Sequence, residues 1–221
     1  MTIYPMIKLQ NISKTYPSSS GVFYALRELS LEIGHGQYIA VTGPSGAGKS
    51  TLLNILGGMT RPDHGDVLVN GKQLYHLSEK ERNEYRRVKI GFVFQQFHLI
   101  PYLTVYENIL TGTSGRNHKS NIHTLLERFQ LENKSKHHPS QLSVGEKQRV
   151  ALIRATVSRP DMILADEPTG NLDQENSKII LDFFREYHGE GKTVILVTHE
   201  PGLSGLADRI VHLRNGIATF V

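Results

Sequence analysis

Nine consecutive residues, Gly43-Pro44-Ser45-Gly46-Ala47-Gly48-Lys49-Ser50-Thr51, have the types and spacing to hold a polyphosphate. They follow the G-x-x-x-x-G-K-[ST] pattern, behind an apolar run ending at Val41-Thr42 and ahead of the helical-looking Leu52 to Leu56. In that strand–loop–helix setting the glycines let backbone N–H groups curl around β- and γ-phosphates, and the helix N-terminus adds positive potential. Lys49 supplies a point charge to the same oxygens, and the Ser50 hydroxyl is placed to ligate Mg2+. With both flanks correct, a glycine-rich turn that merely matches is the weaker reading. A second constellation, Met162-Ile-Leu-Ala165-Asp166-Glu167, puts two acids after a buried strand, where ligands of open α/β sheets gather. Asp166 is suited to holding magnesium through water, and Glu167 to orienting and activating an attacking water as general base. His199, after Val194 to Thr198, ends a third such run and is expected to contact the γ-phosphate and hold that water with Glu167. Taken alone, an Asp-Glu pair after a strand is a polar loop entrance and a single His is structural. Coming 123 residues after Gly43 (166 − 43), the pair reads as catalytic.

Three short apolar runs must therefore be strands: Tyr38 to Val41, Met162 to Ala165 and Val194 to Val197. Near-continuous apolar runs bounded by turn residues suit strands buried on both faces of a parallel sheet. Leu29, Leu31 and Ile33 alternate with polar residues before the Gly34 and Gly36 turn, which predicts an antiparallel β portion near the N-terminus. Helical spacing groups Ile122, Leu125, Leu126 and Phe129 on one face, and Ile179, Ile180, Phe183, Phe184 and Tyr187 on another. Strands alternating with helices give an α/β fold. The stretch from about Gln96 to Ser140, with Gly112 and Gly115, lacks a clear buried strand and is expected to be a smaller helical lobe.

The 221 residues are 38% hydrophobic and 21% charged, the composition of an ordinary globular protein, and one compact unit is expected. There are no cysteines, which excludes disulfides and thiolate metal sites and fits a reducing compartment. No signal peptide is evident in the opening residues, and no apolar run reaches the roughly 20 residues needed to span a bilayer. Any membrane role is expected to be peripheral. The formal charge is +4, but the densest basic stretch, Lys80 to Lys89, is interleaved with Glu81 and Glu84. It reads as a solvated helix face, and no nucleic-acid partner is expected. His137 and His138 are adjacent rather than at ligand spacing and read as loop residues.

Leu142-Ser143-Val144-Gly145-Glu146-Lys147-Gln148-Arg149 carries two readings. Ser143-x-x-Glu146 ahead of Val150, Leu152 and Ile153 is a capping box opening a helix. The same stretch resembles the L-S-G-G-Q signature of ATP-binding cassette proteins. The two are compatible, since a capped helix N-terminus aimed at phosphate is how such a signature works. In family order, Tyr16 resembles the adenine-stacking aromatic, Gln95 the Q-loop glutamine that joins the magnesium site to the helical lobe, and Asn171-Leu172-Asp173 the D-loop.

The resemblance implies a single ABC ATPase domain over residues 1–221, a phosphate-loop NTPase with a RecA-like core, an antiparallel β portion and a helical lobe around 96–158. It implies ATP and Mg2+ as cofactors and a head-to-tail homodimer, each ATP lying between one phosphate loop and the partner copy's Ser143, Gly145 and Glu146. Binding would close the pair and hydrolysis reopen it. Tyr24-Ala-Leu26, Gly91 to Pro101 and Leu164 to Asp173 resemble the branch serving lipoprotein release, macrolide or peptide efflux and haem efflux. That branch implies a transmembrane permease partner, export or extrusion, and residence on the cytoplasmic membrane face. A soluble ABC ATPase acting on ribosomes, DNA or cluster assembly is the alternative. The 123-residue spacing leaves no room for the coiled-coil insertion of DNA-repair members, and translation-type members carry two cassettes. A non-hydrolysing sensor would be expected to lack Glu167 or His199. Val144 stands where the family has glycine, and a β-branched residue would oppose any left-handed backbone or tight phosphate approach there. Glu146 in place of glutamine is the milder departure.

Overall fold

The computed structural model describes residues 5–19, 21–113, 119–170 and 172–220, so Gly115 and Asn171 lie outside the described residues. In chain order the elements are β1 (Ile7–Ser18), β2 (Gly21–Ile33), β3 (Tyr38–Thr42), α1 (Lys49–Leu56), β4 (His64–Val69) and β5 (Lys72–Gln73). Then come α2 (Glu79–Lys89), β6 (Ile90–Val93), α3 (Val105–Leu110), α4 (Lys119–Arg128), α5 (Val144–Thr156) and β7 (Met162–Asp166). The chain continues with α6 (Gln174–Gly189), β8 (Thr193–Val197), α7 (Pro201–Ser204), β9 (Arg209–Arg214) and β10 (Ile217–Phe220). Two sheets result: an antiparallel one of order β2-β1-β4-β5, and one of order β10-β9-β3-β8-β7-β6, parallel except for the β10 hairpin partner. This is the mixed α/β architecture expected, with its antiparallel portion at the N-terminus.

The period of two along the central strands sorts their side chains into two cores. Ile39, Val41, Met162, Leu164, Ile195 and Val197 face α1 and the antiparallel sheet. Tyr38, Ile163, Ala165, Val194 and Leu196 face the opposite way, onto α5 and α6 through Val150, Leu152, Ile153, Ile180 and Phe184. Because both faces are covered, β3, β7 and β8 each carry four consecutive apolar residues, which is why they read as unbroken runs. Each such side chain contributes about 1.5–3 kcal/mol of burial.

The long β1–β2 hairpin does not keep that regularity. Asn11 and Glu28 take positive φ values of 50° and 45°, and the register steps from Leu9 opposite Leu31 to Ile12 opposite Leu29 and on to Lys14 opposite Leu26. Side chains fill the gap: Ser30 Oγ accepts from Asn11 N at 2.9 Å, and Ser13 Oγ from Glu28 N at 3.0 Å. Each bulge adds an unpaired residue and turns the strand, so the sheet can wrap over α1.

Between about 96 and 140 the described residues form helices and turns with no strand, as the lack of a buried run predicts. The helical lobe around 96–158 is nonetheless joined to the core, because Val150, Leu152 and Ile153 of α5 belong to the same apolar cluster as β7 and β8. Arg154, largely buried, donates from its guanidinium to the carbonyls of Phe97 at 2.7 Å and His98 at 2.6 Å, pinning the loop after β6 to α5. The basic stretch does form a solvated helix: α2 has no buried residue, Ser78 and Glu81 cap it, and Arg87 pairs with Glu84.

The loop from Gly43 to Gly48 is wedged between two carbonyls. A Cβ on Gly43 would overlap the Leu213 carbonyl oxygen of β9, and one on Gly48 would overlap the Ala25 carbonyl oxygen of β2. Their φ values of 142° and 102° are also unfavourable to any other residue. Gly46, at φ 75°, has only open space around it. Gly48→Ala is therefore expected to lower the unfolding free energy in urea by roughly 2–5 kcal/mol, backbone strain and overpacking combined. Gly46→Ala is expected to cost about 1–2 kcal/mol, from backbone conformation alone. Equal losses would show that the wedge is not what restricts position 48.

Candidate nucleotide-binding site

Parallel register brings the ends of three strands to one edge. Val41 of β3 and Asp166 of β7 both lie beside Val197 of β8. Hydrogen bonds extend the alignment past the strands, with Glu167 N donating to Val197 O at 2.9 Å and Thr198 N to Val41 O at 3.2 Å. Thr42–Gly43, Asp166–Glu167 and Thr198–His199 therefore emerge side by side, and a cleft lined by Pro44, His199 and His212 borders them.

Lys49 is buried at the start of α1, and its Nζ donates to Gly43 O at 2.7 Å and Pro44 O at 3.0 Å. An ammonium has three donors, so two shape the loop and one remains for an outside anion. Pro44, Ser45 and Gly46 are exposed, Ala47 is buried, and Ser50 is exposed on the first turn of α1 beside half-buried Thr51. That turn carries no acidic residue, so its N–H groups and dipole favour negative charge.

Glu167 takes φ 48°, a left-handed conformation that costs about 1–3 kcal/mol for a residue with a side chain. With this backbone its Oε1 lies 3.2 Å from His199 Nε2. A carboxylate held against an imidazole can accept a proton from water while the ring orients the same water or a phosphate oxygen. Asp166, half-buried, ends β7; Gln95, exposed, lies two residues beyond β6, whose Val93 pairs with Ala165. The Ser50 hydroxyl, the Asp166 carboxylate and the Gln95 amide oxygen are hard donors that suit Mg2+, an ion that usually keeps water and substrate phosphates as its other ligands. Among the described residues no group of three or more His, Cys, Asp and Glu could hold a metal.

Tyr16, on β1, pairs with Phe23, two residues from the Ala25 carbonyl that touches Gly48, and its ring is 37% exposed. Asp63 supports that strand end: its carboxylate accepts from Lys14 Nζ at 2.6 Å, Thr15 N at 2.7 Å and Thr15 Oγ1 at 2.8 Å. The Lys14 hydrogen bond leads in lowering the Asp63 pKa to about 2, so Asp63 stays ionised at ordinary pH.

The Ser143–Glu146 box is formed reciprocally: Ser143 Oγ accepts from Glu146 N at 3.2 Å, and Glu146 Oε2 from Ser143 N at 2.8 Å. Lys134 Nζ lies 3.5 Å from Glu146. Val144 follows as the first residue of α5, outside the positive-φ set, with its side chain 45% exposed. The left-handed backbone that valine would oppose is thus not required, and only its bulk distinguishes it from glycine. Gly145 is buried against the Asn176 side chain, and Asp173 caps α6 by accepting from Asn176 N at 2.8 Å. Among the described residues, no hydrogen bond or ion pair joins Ser143, Gly145 or Glu146 to Lys49, Asp166, Glu167 or His199 within one chain.

Sequence reasoning did not single out Asp63, Arg154 or Asn176. Asn176 had a signal in the Asp173-x-x-Asn176 start of α6; Asp63 binds Lys14 and Thr15, and Arg154 the carbonyls of Phe97 and His98, across sequence distances that gave none.

The ABC transporter family profile matches residues 26–170. An uncharacterized ABC transporter ATP-binding protein of Methanocaldococcus jannaschii, MJ0796, is 41% identical, the match covering 96% of this chain and 94% of that protein. A macrolide export ATP-binding/permease protein of Chlorobaculum tepidum, MacB, is 41% identical over 96% of this chain but only 33% of its own length. Among solved structures, a dimeric post-hydrolysis state of the cassette MJ0796 bound to ADP and Pi superposes with a TM-score of 0.91 at 37% identity, covering 98% of both chains. A cassette from Clostridium perfringens, cbiO1, part of the transporter complex cbiONQ, superposes with a TM-score of 0.81 at 27% identity, covering 98% of this chain and 87% of that one. The fold, the phosphate loop in its strand–helix setting and these matches agree: the chain belongs to the ABC transporter family.

Proposed function

We propose that this ABC-type ATP hydrolase works as a head-to-tail homodimer and powers a separate membrane permease. The observation that carries the reading is the meeting of Lys49, Asp166, Glu167 and His199 at one sheet edge, while Ser143 and Val144 are exposed on α5 with no bond to that edge. A half-site of this kind is completed by a second copy. Each ATP then lies between the Gly43–Thr51 loop of one protomer and the Ser143, Gly145 and Glu146 turn of the other, with Tyr16 stacking on adenine.

Within that arrangement Lys49 and the loop N–H groups bind the β- and γ-phosphates and oppose the charge that builds up on them. Ser50, Asp166 and Gln95 would hold Mg2+, which when bound neutralises phosphate charge. Glu167 takes the proton from the attacking water, and His199 orients that water against the γ-phosphate. Asp173, at the cap of α6, takes the D-loop place. Closure of the pair on ATP and reopening after hydrolysis is the stroke passed to the permease.

A permease partner, export and a place on the cytoplasmic membrane face are supported by the macrolide export relatives, whose names join an ATP-binding part to a permease. This chain matches about a third of one such protein. No helix among the described residues is long and apolar enough to cross a membrane. The single 1–221 domain, with its helical lobe around 96–158 tied to the core through α5, suits such a unit.

Lys49→Ala is expected to lower ATP turnover by on the order of a hundredfold or more; turnover equal to wild type would overturn the phosphate-loop assignment. Glu167→Gln is expected to lose about a hundredfold or more in rate while still binding ATP. With MgATP it should elute as a dimer from size exclusion, and a monomer would sink the two-copy mechanism. The same variant, tagged, should co-purify with a membrane permease from detergent-solubilised membranes. Recovery of only ribosomal or nucleic-acid proteins would favour the soluble alternative. Val144→Gly is expected to equal or exceed wild-type turnover, and a large loss would show that the isopropyl group is used.

A further inference from the structure

The N-terminal halves of α5 and α6 are clasped through one side chain. Asn176 Oδ1 accepts from Arg149 Nη1, while Asn176 Nδ2 donates to both carboxylate oxygens of Asp173, at 3.0 and 2.8 Å. The amide lies so close to Gly145 that a Cβ there would sit 2.5 Å from Asn176 Cγ and Oδ1. A side chain at 145 would have to displace the Asn176 amide and open the clasp, independently of any nucleotide. Arg149 is half-buried, and its Nε has no hydrogen-bond partner, so the desolvated guanidinium depends on what Nη1 reaches. Hydrogen bonds also run back from the clasp toward Glu167: Leu172 N donates to Thr169 O at 3.0 Å, and Gly170 N to Glu167 O at 3.2 Å.

Asparagine is chemically apt here. It accepts from a guanidinium with one atom and donates to a carboxylate with the other. Aspartate would repel Asp173, and an apolar side chain would take from Arg149 Nη1 its acceptor and leave Asp173 only the backbone bonds of its cap. In the two-copy arrangement, each chain contributes Glu167 to one nucleotide and Ser143 to the other. We propose that Asn176 is a positioning residue that couples the two nucleotide sites, carrying the placement of Glu167 and Asp173 at one site to the Ser143–Gly145 turn at the other. This rests on the dimer reading above. It assigns Asn176 no contact with ATP.

The test is the ATP dependence of initial hydrolysis rate for the full chain, wild type against Asn176→Ala and Asn176→Thr. A wild-type Hill coefficient of about two should fall toward about one in Asn176→Ala, with turnover down roughly tenfold, as expected when coupling between sites is lost. Threonine, whose hydroxyl can both donate and accept, should recover most of the cooperativity; a purely structural loss would not follow that pattern. If Asn176→Ala does not fold, Arg149→Gln removes the guanidinium on which the clasp closes and carries the same expectation. An unchanged Hill coefficient in Asn176→Ala overturns the inference and leaves the dimer reading intact. A wild-type coefficient of one, with no ATP-driven dimer of Glu167→Gln, overturns both.

Discussion

The parallel hydrogen bonding of β3 to β8 and of β8 to β7 is the constraint on which the site depends. It sets Val41, Asp166 and Val197 level, and two backbone bonds continue that level into the loops. A slip of β7 by one residue against β8 would turn Asp166 from one face to the other and exchange the side chains of β7 between the two apolar cores. Such a slip is resisted by the fit of Met162, Ile163, Leu164 and their neighbours on β8 in their present cores, because a side chain moved to the other core stays buried but is mispacked, at about 1–3 kcal/mol where it overpacks. Packing energy is in this way converted into the placement of polar groups that contribute none of it.

The glycines of the phosphate loop depend on the same scaffold. Gly43 follows β3 directly and meets the carbonyl of Leu213 on β9, the other neighbour of β3; Gly48 meets Ala25 on the antiparallel sheet. The loop is therefore held from both sheets at once. Lys49, bonding to the loop's own carbonyls, is fixed from inside.

Much of this was legible in the residues. Tyr38 to Val41, Met162 to Ala165 and Val194 to Val197 could be read as strands because burial on both faces demands uninterrupted apolar character, and the site motifs sit at their ends. The Ser143–Glu146 capping box is a local signal and formed as such. The rest of the N-terminal sheet was hidden, because bulges at Asn11 and Glu28 break the period of two between Leu9 and Ile12 and between Leu26 and Leu29. β6 and β9 were missed for another reason: four residues at Ile90–Val93, and an alternation at Arg209–Arg214 in which Ile210 stays half-exposed, give too little pattern. Contacts such as Asn176 on Gly145, or Arg154 on the carbonyls of Phe97 and His98, join segments whose proximity only the fold creates.

The left-handed backbone at Glu167 sets two selective pressures against each other. A glycine there would adopt φ 48° without the steric penalty that a side chain carries, so replacing the carboxylate is a change that stability alone would reward. A population screened only for thermal resistance would drift away from glutamate at this position. If Glu167 is the proposed general base, one that must turn over ATP would keep it, and a glutamate retained here across generations would then be a record of chemistry under selection rather than of folding.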